Sequence, residues 1–224
     1  MTSKERVQLI FEHKGTENAF WSGAPRDDTM RKYCTENGFG GQEELYSFLN
    51  DDLRQIHAEY GFLQWGKRPF FITHPKGKVS LSEPGRFAEA TSIEEVKDGD
   101  YPTVEDMDFT ELRRQFESGY IEEEGDWKGK NIQGKAVFSG MWCEFFHIVS
   151  EFFGMENYFC KMYTDPEVVH YVTDRVEEFF LQSNEKFLKT CGEYVDVMFM
   201  GNDFGTQRDL LISPEMFDEF VLPR

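Results

Sequence analysis

The sequence predicts an α/β fold, with strands and helices alternating around a parallel sheet. Three observations predict it. Short apolar runs end at glycine, as KAVFS does at Gly140 and the run through Met200 does at Gly201. Between such runs lie segments whose apolar residues recur at helical spacing. Helix starts (Ser, Thr or Asp, twice with Pro) and glycine stops fall at the borders between the two kinds of segment. About four βα units can be read, interrupted by a stretch rich in charge, Gly and Pro at about 82–135. No internal repeat or low-complexity tract is present.

Taken in order, Thr2-x-x-Glu5 has capping-box spacing and opens a first helix. Val7, Ile10 and Phe11 share one face of it, and Gly15 stops it. Asn18–Trp21 (NAFW) is a strand candidate halted by Ser22-Gly23-Ala24-Pro25. Asp28–Asn37 and Glu43–Leu49 read as short helices. Tyr60–Trp65 and Phe70–Thr73 read as strands on either side of Gly66-Lys67-Arg68-Pro69, with Lys78–Leu81 as a hairpin partner. Within the charged stretch, Asp106–Phe116 predicts a helix, and much of the stretch is expected at the surface. Lys135–Ser139 predicts a strand, and Met141–Phe153 an aromatic-rich helix ended by Gly154. Asp165 as cap and Pro166 at the first position open a long helix. Its apolar face is Val169, Val172, Val176, Phe179, Phe180 and Phe187, and Gly192 closes it. Tyr194–Met200 is the last strand, and Ser213-Pro214 caps a final helix holding Phe217 and Phe220.

Composition narrows the function classes. With 224 residues, 39% of them hydrophobic, the chain can bury a sizeable core as one large domain or two small ones. A net charge of −18 argues against nucleic acid, whose phosphates want a basic footprint. It disfavours anionic membrane surfaces for the same reason. Cys34, Cys143, Cys160 and Cys191 form no CxxC pair and no zinc spacing, which fits scattered reduced thiols. The polar N-terminus lacks the apolar core of a signal peptide, and no run of eighteen apolar residues occurs. The expectation is a soluble, cytoplasmic protein.

In βα proteins the working residues gather where strands end. Four such edges can be read. They offer Ser22, Arg26, Asp27 and Asp28; then Asp51 and Asp52; then Trp142, Glu144 and His147; then Asn202 and Asp203. Carboxylates from different strands facing one cavity suit acid/base work if their environments separate their pKa values. Each group also has a plainer reading. Asp51 and Asp52 can cap a helix starting at Leu53, and His147 can be a hydrogen-bonded core histidine. Asn202-Asp203 can be turn chemistry, and Arg26 a surface ion pair. No phosphate loop, no dinucleotide fingerprint and no nucleophile elbow is present.

Several passages go further. MENYFCKMYTDPEVVHYVTD (Met155–Asp174) and MGNDFGTQRDLLISPEMFDEFVLP (Met200–Pro223), with the first 21 residues and FLNDDLRQI, resemble the uroporphyrinogen decarboxylase family in its broad sense. That family includes methyltransferases that serve corrinoid proteins. The resemblance implies a (β/α)8 TIM barrel. It implies that the chain, 1–224 as a single domain with an insertion at about 82–135, is the N-terminal part of one, truncated after about four βα units. The other barrel half, or a second copy, is then an expected partner. The resemblance places a catalytic aspartate at Asp52, His147 where the family has a tyrosine, and Asn202-Asp203 where it has a serine. Arg26 is the nearest match to the arginines that hold substrate carboxylates, and Asp27 and Asp28 beside it would repel a substrate with eight carboxylates. The implied reading is a carboxylate-lined site with Asp52, Asp203 and His147 as catalytic groups. Arg26, Asn202 and Trp142 would bind a substrate other than uroporphyrinogen, either a porphyrinoid or a methyl donor. The alternatives are a methyltransferase passing methyl groups to a corrinoid protein, and a non-catalytic binding module. No cofactor is expected from this chain; zinc enters only if a second half supplies His and Cys ligands. The chain alone is expected to be inactive.

Overall fold

A computed structural model of the chain describes residues 1–15, 18–23, 25–58, 71–74, 76–77, 80–122 and 129–224. The chain divides into two compact units, each described here by itself.

The first unit comprises Met1–Phe62, Asp108–Gly140 and Phe187–Phe199. Helix α1 (Ser3–Phe11) starts as expected: Thr2 and Glu5 complete a reciprocal capping box. Helix α2 (Asp27–Asn37) ends at Gly38 in the left-handed region, and α3 (Gln42–Phe48) follows. Met30, Cys34, Leu45 and Tyr46 form a small core between them. Strand β1 (Leu53–His57) comes next. The structure thus replaces the helix cap weighed for Asp51 and Asp52 with a strand start. Asn18–Trp21 is not a strand. Its backbone meets Asp52 through one main-chain bond, and Phe20 N donates to the Asp52 carboxylate. A side chain there takes the place of a ladder.

The two units share the remaining elements. Helix α4 (Ile93–Val96) lies in the second unit. Helix α5 (Thr110–Ser118), a hairpin of β2 (Tyr120–Ile121) with β3 (Lys130–Asn131), and β4 (Ala136–Gly140) belong to the first. The final strand β5 is short, Val197–Met198, where a run of Tyr194–Met200 was expected. The three strands β1, β4 and β5 form a parallel sheet in the order β1-β4-β5. Leu53 pairs with Ala136 and His57 with Gly140, while Phe138 pairs with Val197. Parallel neighbours require long crossovers, so this part of the expected α/β pattern holds. The helix anticipated at Asp106–Phe116 begins four residues later, after a 3-10 turn at Val104–Asp106.

The second unit comprises Leu63–Met107, Met141–Lys186 and Met200–Arg224. Helices α6 (Phe145–Phe153) and α7 (Met155–Thr164) are separated by Gly154 alone. Gly154 has φ +82, and a Cβ there would collide with the Glu83 carbonyl, so glycine is required. Helix α8 (Pro166–Cys191) follows, with Val169, Val172, Val176, Phe179 and Phe180 buried along its expected face. Asp165 precedes it, and its carboxylate accepts from Thr164 Oγ1 at 2.7 Å and Lys161 Nζ at 3.4 Å. Its main-chain oxygen accepts the first helical amide, from Val168. Gly192 opens a 3-10 turn, Gly192–Tyr194, instead of a left-handed cap. Helix α9 (Pro214–Phe220) is capped by Ser213 Oγ, which accepts from Met216 N.

The charged 82–135 stretch does not stay at the surface. Phe87 stacks on Phe152 with centroids 4.9 Å apart, and Phe87 N donates to Phe152 O at 2.7 Å. Val96, Met107, Phe109 and Leu112 are buried to 1% exposure or less. Tyr60–Trp65, Phe70, Lys78 and Val79 lie outside the described residues; Phe71–Thr73 and Ser80–Leu81 are not in strands. Among the described residues no helix is long and apolar enough to cross a membrane.

Candidate functional site

Strands β4 and β5 each lead into a loop, and the second unit fastens those loops together. After β4 the chain runs through Met141, Trp142 and Cys143 into α6. After β5 it runs through Gly201, Asn202 and Asp203. Gly201 N donates to Trp142 O at 2.9 Å. The Asn202 amide then bonds twice: its Oδ1 accepts from Phe146 N at 3.1 Å, and its Nδ2 donates to Cys143 O at 2.9 Å. Phe146 N belongs to the first turn of α6, where amides lack helical partners, so Asn202 caps that helix from a distance. Gly201 lies against the Trp142 ring; a Cβ would sit 3.2 Å from it. Beyond, Phe204 packs edge-on to Phe146 at 5.2 Å and to Phe217 at 5.2 Å.

A second amide holds the loop after β4 from the other side. Asn184 on α8 is buried, accepting from Met141 N at 3.1 Å. Its Nδ2 donates to Cys143 Sγ at 2.9 Å and to Phe180 O at 3.1 Å. Cys143 itself has φ +57, a left-handed conformation uncommon outside Gly, Asn and Asp. Two asparagines therefore hold a strained strand-to-helix turn. Cys143→Val is expected to lower stability by about 1–3 kcal/mol, because a β-branched residue resists that backbone region. Cys143→Gly should lose much less. A urea midpoint for Cys143→Val equal to that of Cys143→Gly would show that the turn relaxes.

The expected site residues fall out as follows. Trp142 and Asn202 are brought together by the loop bonds above. Asn202, expected to bind substrate, commits both halves of its amide to the backbone. Asp203 is exposed, and His147 is half-buried on α6 beside the buried Phe146. Arg26 is exposed at the start of α2 and caps nothing with its side chain.

Asp52 stands elsewhere than expected. It precedes β1, so it lies at the amino edge of the parallel sheet, not the carboxyl edge where sites gather. Its carboxylate is buried. Oδ1 accepts from Arg6 Nη1 at 2.5 Å and Ser3 Oγ at 2.8 Å, and Oδ2 from Phe20 N at 2.9 Å. Asp51 beside it accepts from Ser22 N, Ser22 Oγ and Leu53 N. Both aspartates organise the chain around α1 and β1.

Sequence reasoning missed Cys143 and Asn184. A signal for Asn184 exists: it falls on the face of α8 that carries Phe180 and Phe187, where a polar residue demands partners. Cys143 leaves no such trace, since a positive φ at a non-glycine residue is set by tertiary bonds. Among the described residues no three His, Cys, Asp or Glu side chains converge as metal ligands. Comparison of the chain with protein-family models, curated proteins and solved structures gives no match.

Proposed function

We propose that this chain is a cytoplasmic, uroporphyrinogen decarboxylase-like protein, the N-terminal part of a (β/α)8 barrel. Its ligand site would lie on the loops that follow β4 and β5. The observation that carries the reading is the clasp of Gly201 and Asn202 onto Trp142, Cys143 and Phe146. It joins two strand-end loops, bearing Trp142 and Asp203, to the first turn of α6, which bears His147, as a preorganised site requires. In this reading Trp142 supplies a stacking wall, and Asp203 and His147 supply proton transfer. Asn202 positions them, and Asp52 is structural.

The parallel sheet supports an additional half. Sheets of this kind are buried on both faces. Yet Phe138 and Val197 are only half-buried, and Met198 is 40% exposed. Further strands, from a second barrel half or a second copy, would cover them. Asp27 and Asp28, exposed beside Arg26, weigh against uroporphyrinogen itself.

The test is a titration with two probes, coproporphyrin and methylcobalamin, followed by fluorescence quenching. Binding of coproporphyrin is expected, weakened about tenfold by Asp203→Asn or His147→Gln with unchanged melting temperature. Preference for methylcobalamin would favour the methyltransferase reading. Binding of neither probe, by a chain that sediments as a cooperatively folding monomer, would leave the non-catalytic module and defeat this proposal.

A further inference from the structure

A separate cleft lies within the second unit, where α7 ends against α9 and the chain leading into it. Phe159, Met162 and Tyr163, at helical spacing, turn one face of α7 onto it. Leu211, Ile212 and Met216 complete the apolar lining. Met162 and Met216 are buried while Tyr163 is 72% exposed, so the cleft has a closed methionine floor and an open aromatic lip. Its volume is about 170 Å³. An apolar cavity of about 150 Å³ holds one benzene ring, so there is room here for a single ring. Unbranched methionines adapt to such a guest, and their sulfurs contact aromatic rings favourably.

The polar margin of the cleft is acidic. Ser213 lies at that margin and caps α9. The Glu215 carboxylate folds back onto its own amide and the Ser213 hydroxyl, bonds that hold it below its ordinary range. Among the described residues Glu215 joins no ion pair. A negative charge is thus fixed beside an apolar cleft. The end of α7 acts in the same sense, because the last carbonyls of a helix favour a cation. Lys161, the basic residue of that last turn, is buried and turned to Ala90 O and the Asp165 carboxylate.

We propose that this cleft binds a small aromatic ammonium, its ring among Phe159, Tyr163 and Ile212 and its charge beside the Glu215 carboxylate. A net charge of −18 draws cations to the surface in general. The cleft adds a shape that selects those carrying one ring. The inference uses neither Trp142, His147 nor Asp203, so it stands or falls apart from the reading above.

The experiment titrates the full chain, labelled at its methionine methyl groups, with benzylammonium, benzyl alcohol and benzoate at matched low ionic strength. The Met216 methyl resonance, assigned with Met216→Leu, reports binding. Benzylammonium should give a saturable shift and bind about threefold more tightly than benzyl alcohol, the effect of one exposed ion pair. Benzoate should bind most weakly. Glu215→Gln should abolish the preference for the ammonium and leave the affinity for benzyl alcohol unchanged. Tyr163→Ala, at a largely exposed position, should weaken both ligands with an unchanged melting curve. A shift that never saturates in the wild-type chain overturns the proposal. So does a preference for benzylammonium that survives Glu215→Gln, and so does benzoate binding as tightly as benzylammonium. A Met216 signal that moves on dilution of the free chain, with dimers on sedimentation, would assign the cleft to a second copy and overturn it as well.

Discussion

Asp52→Ala is expected to lower the unfolding free energy by about 3 kcal/mol, the range for breaking a buried ion pair from one side. The carboxylate is the common acceptor for Arg6, Ser3 and Phe20 N, and its removal takes that acceptor from all three at once. The Arg6 side chain is 22% exposed, so water recovers part of its solvation and holds the loss at the lower end. Asp52→Asn keeps one acceptor oxygen and forfeits the charge, so its cost should fall between wild type and alanine. Urea denaturation of the two variants checks the ranking. If both unfold with the wild-type midpoint while ligand affinity falls, Asp52 is functional and its structural role is refuted.

Asn184→Leu is expected to cost about 2–3 kcal/mol, although leucine suits the apolar face of α8. The loss comes from Met141 N, which would be left buried without an acceptor, and from the release of Cys143 Sγ. Asn184→Asp separates the two effects. It preserves the acceptor for Met141 and removes the donor to Cys143 Sγ and Phe180 O. Thermal melts should place the aspartate variant below wild type. A leucine variant as stable as wild type would mean that the turn after β4 rearranges freely.

Periodicity and capping made the long elements legible. The Thr2-Glu5 box, the face of α8 and the Ser213 cap follow from local chemistry that acts within a few residues, so the sequence contains them whole. Polar residues at element borders were harder. Asp51 and Asp52 satisfy a helix start and a strand start equally well, and only their partners at Ser3, Arg6, Phe20 and Ser22 decide. Asn202 had the same ambiguity: turn residue or ligand group by sequence, a remote helix cap in the fold. The charged stretch misled by its average. Its composition is polar, and only α5, where Leu112 and Phe116 keep helical spacing, shows a period. Phe87, Val96 and Met107 are spaced irregularly and bury one by one.

The Asn202 clasp also carries an entropic consequence. Its bond to Cys143 O joins residues 59 apart in the chain. Closing a loop of that length in a disordered chain costs roughly 3–4 kcal/mol, more than one amide bond returns. The clasp therefore cannot begin the assembly of the second unit. The pairing of Ser139 with Met198 closes a loop of the same length, so ladder and clasp share one closure cost and are expected to form, and to be lost, together.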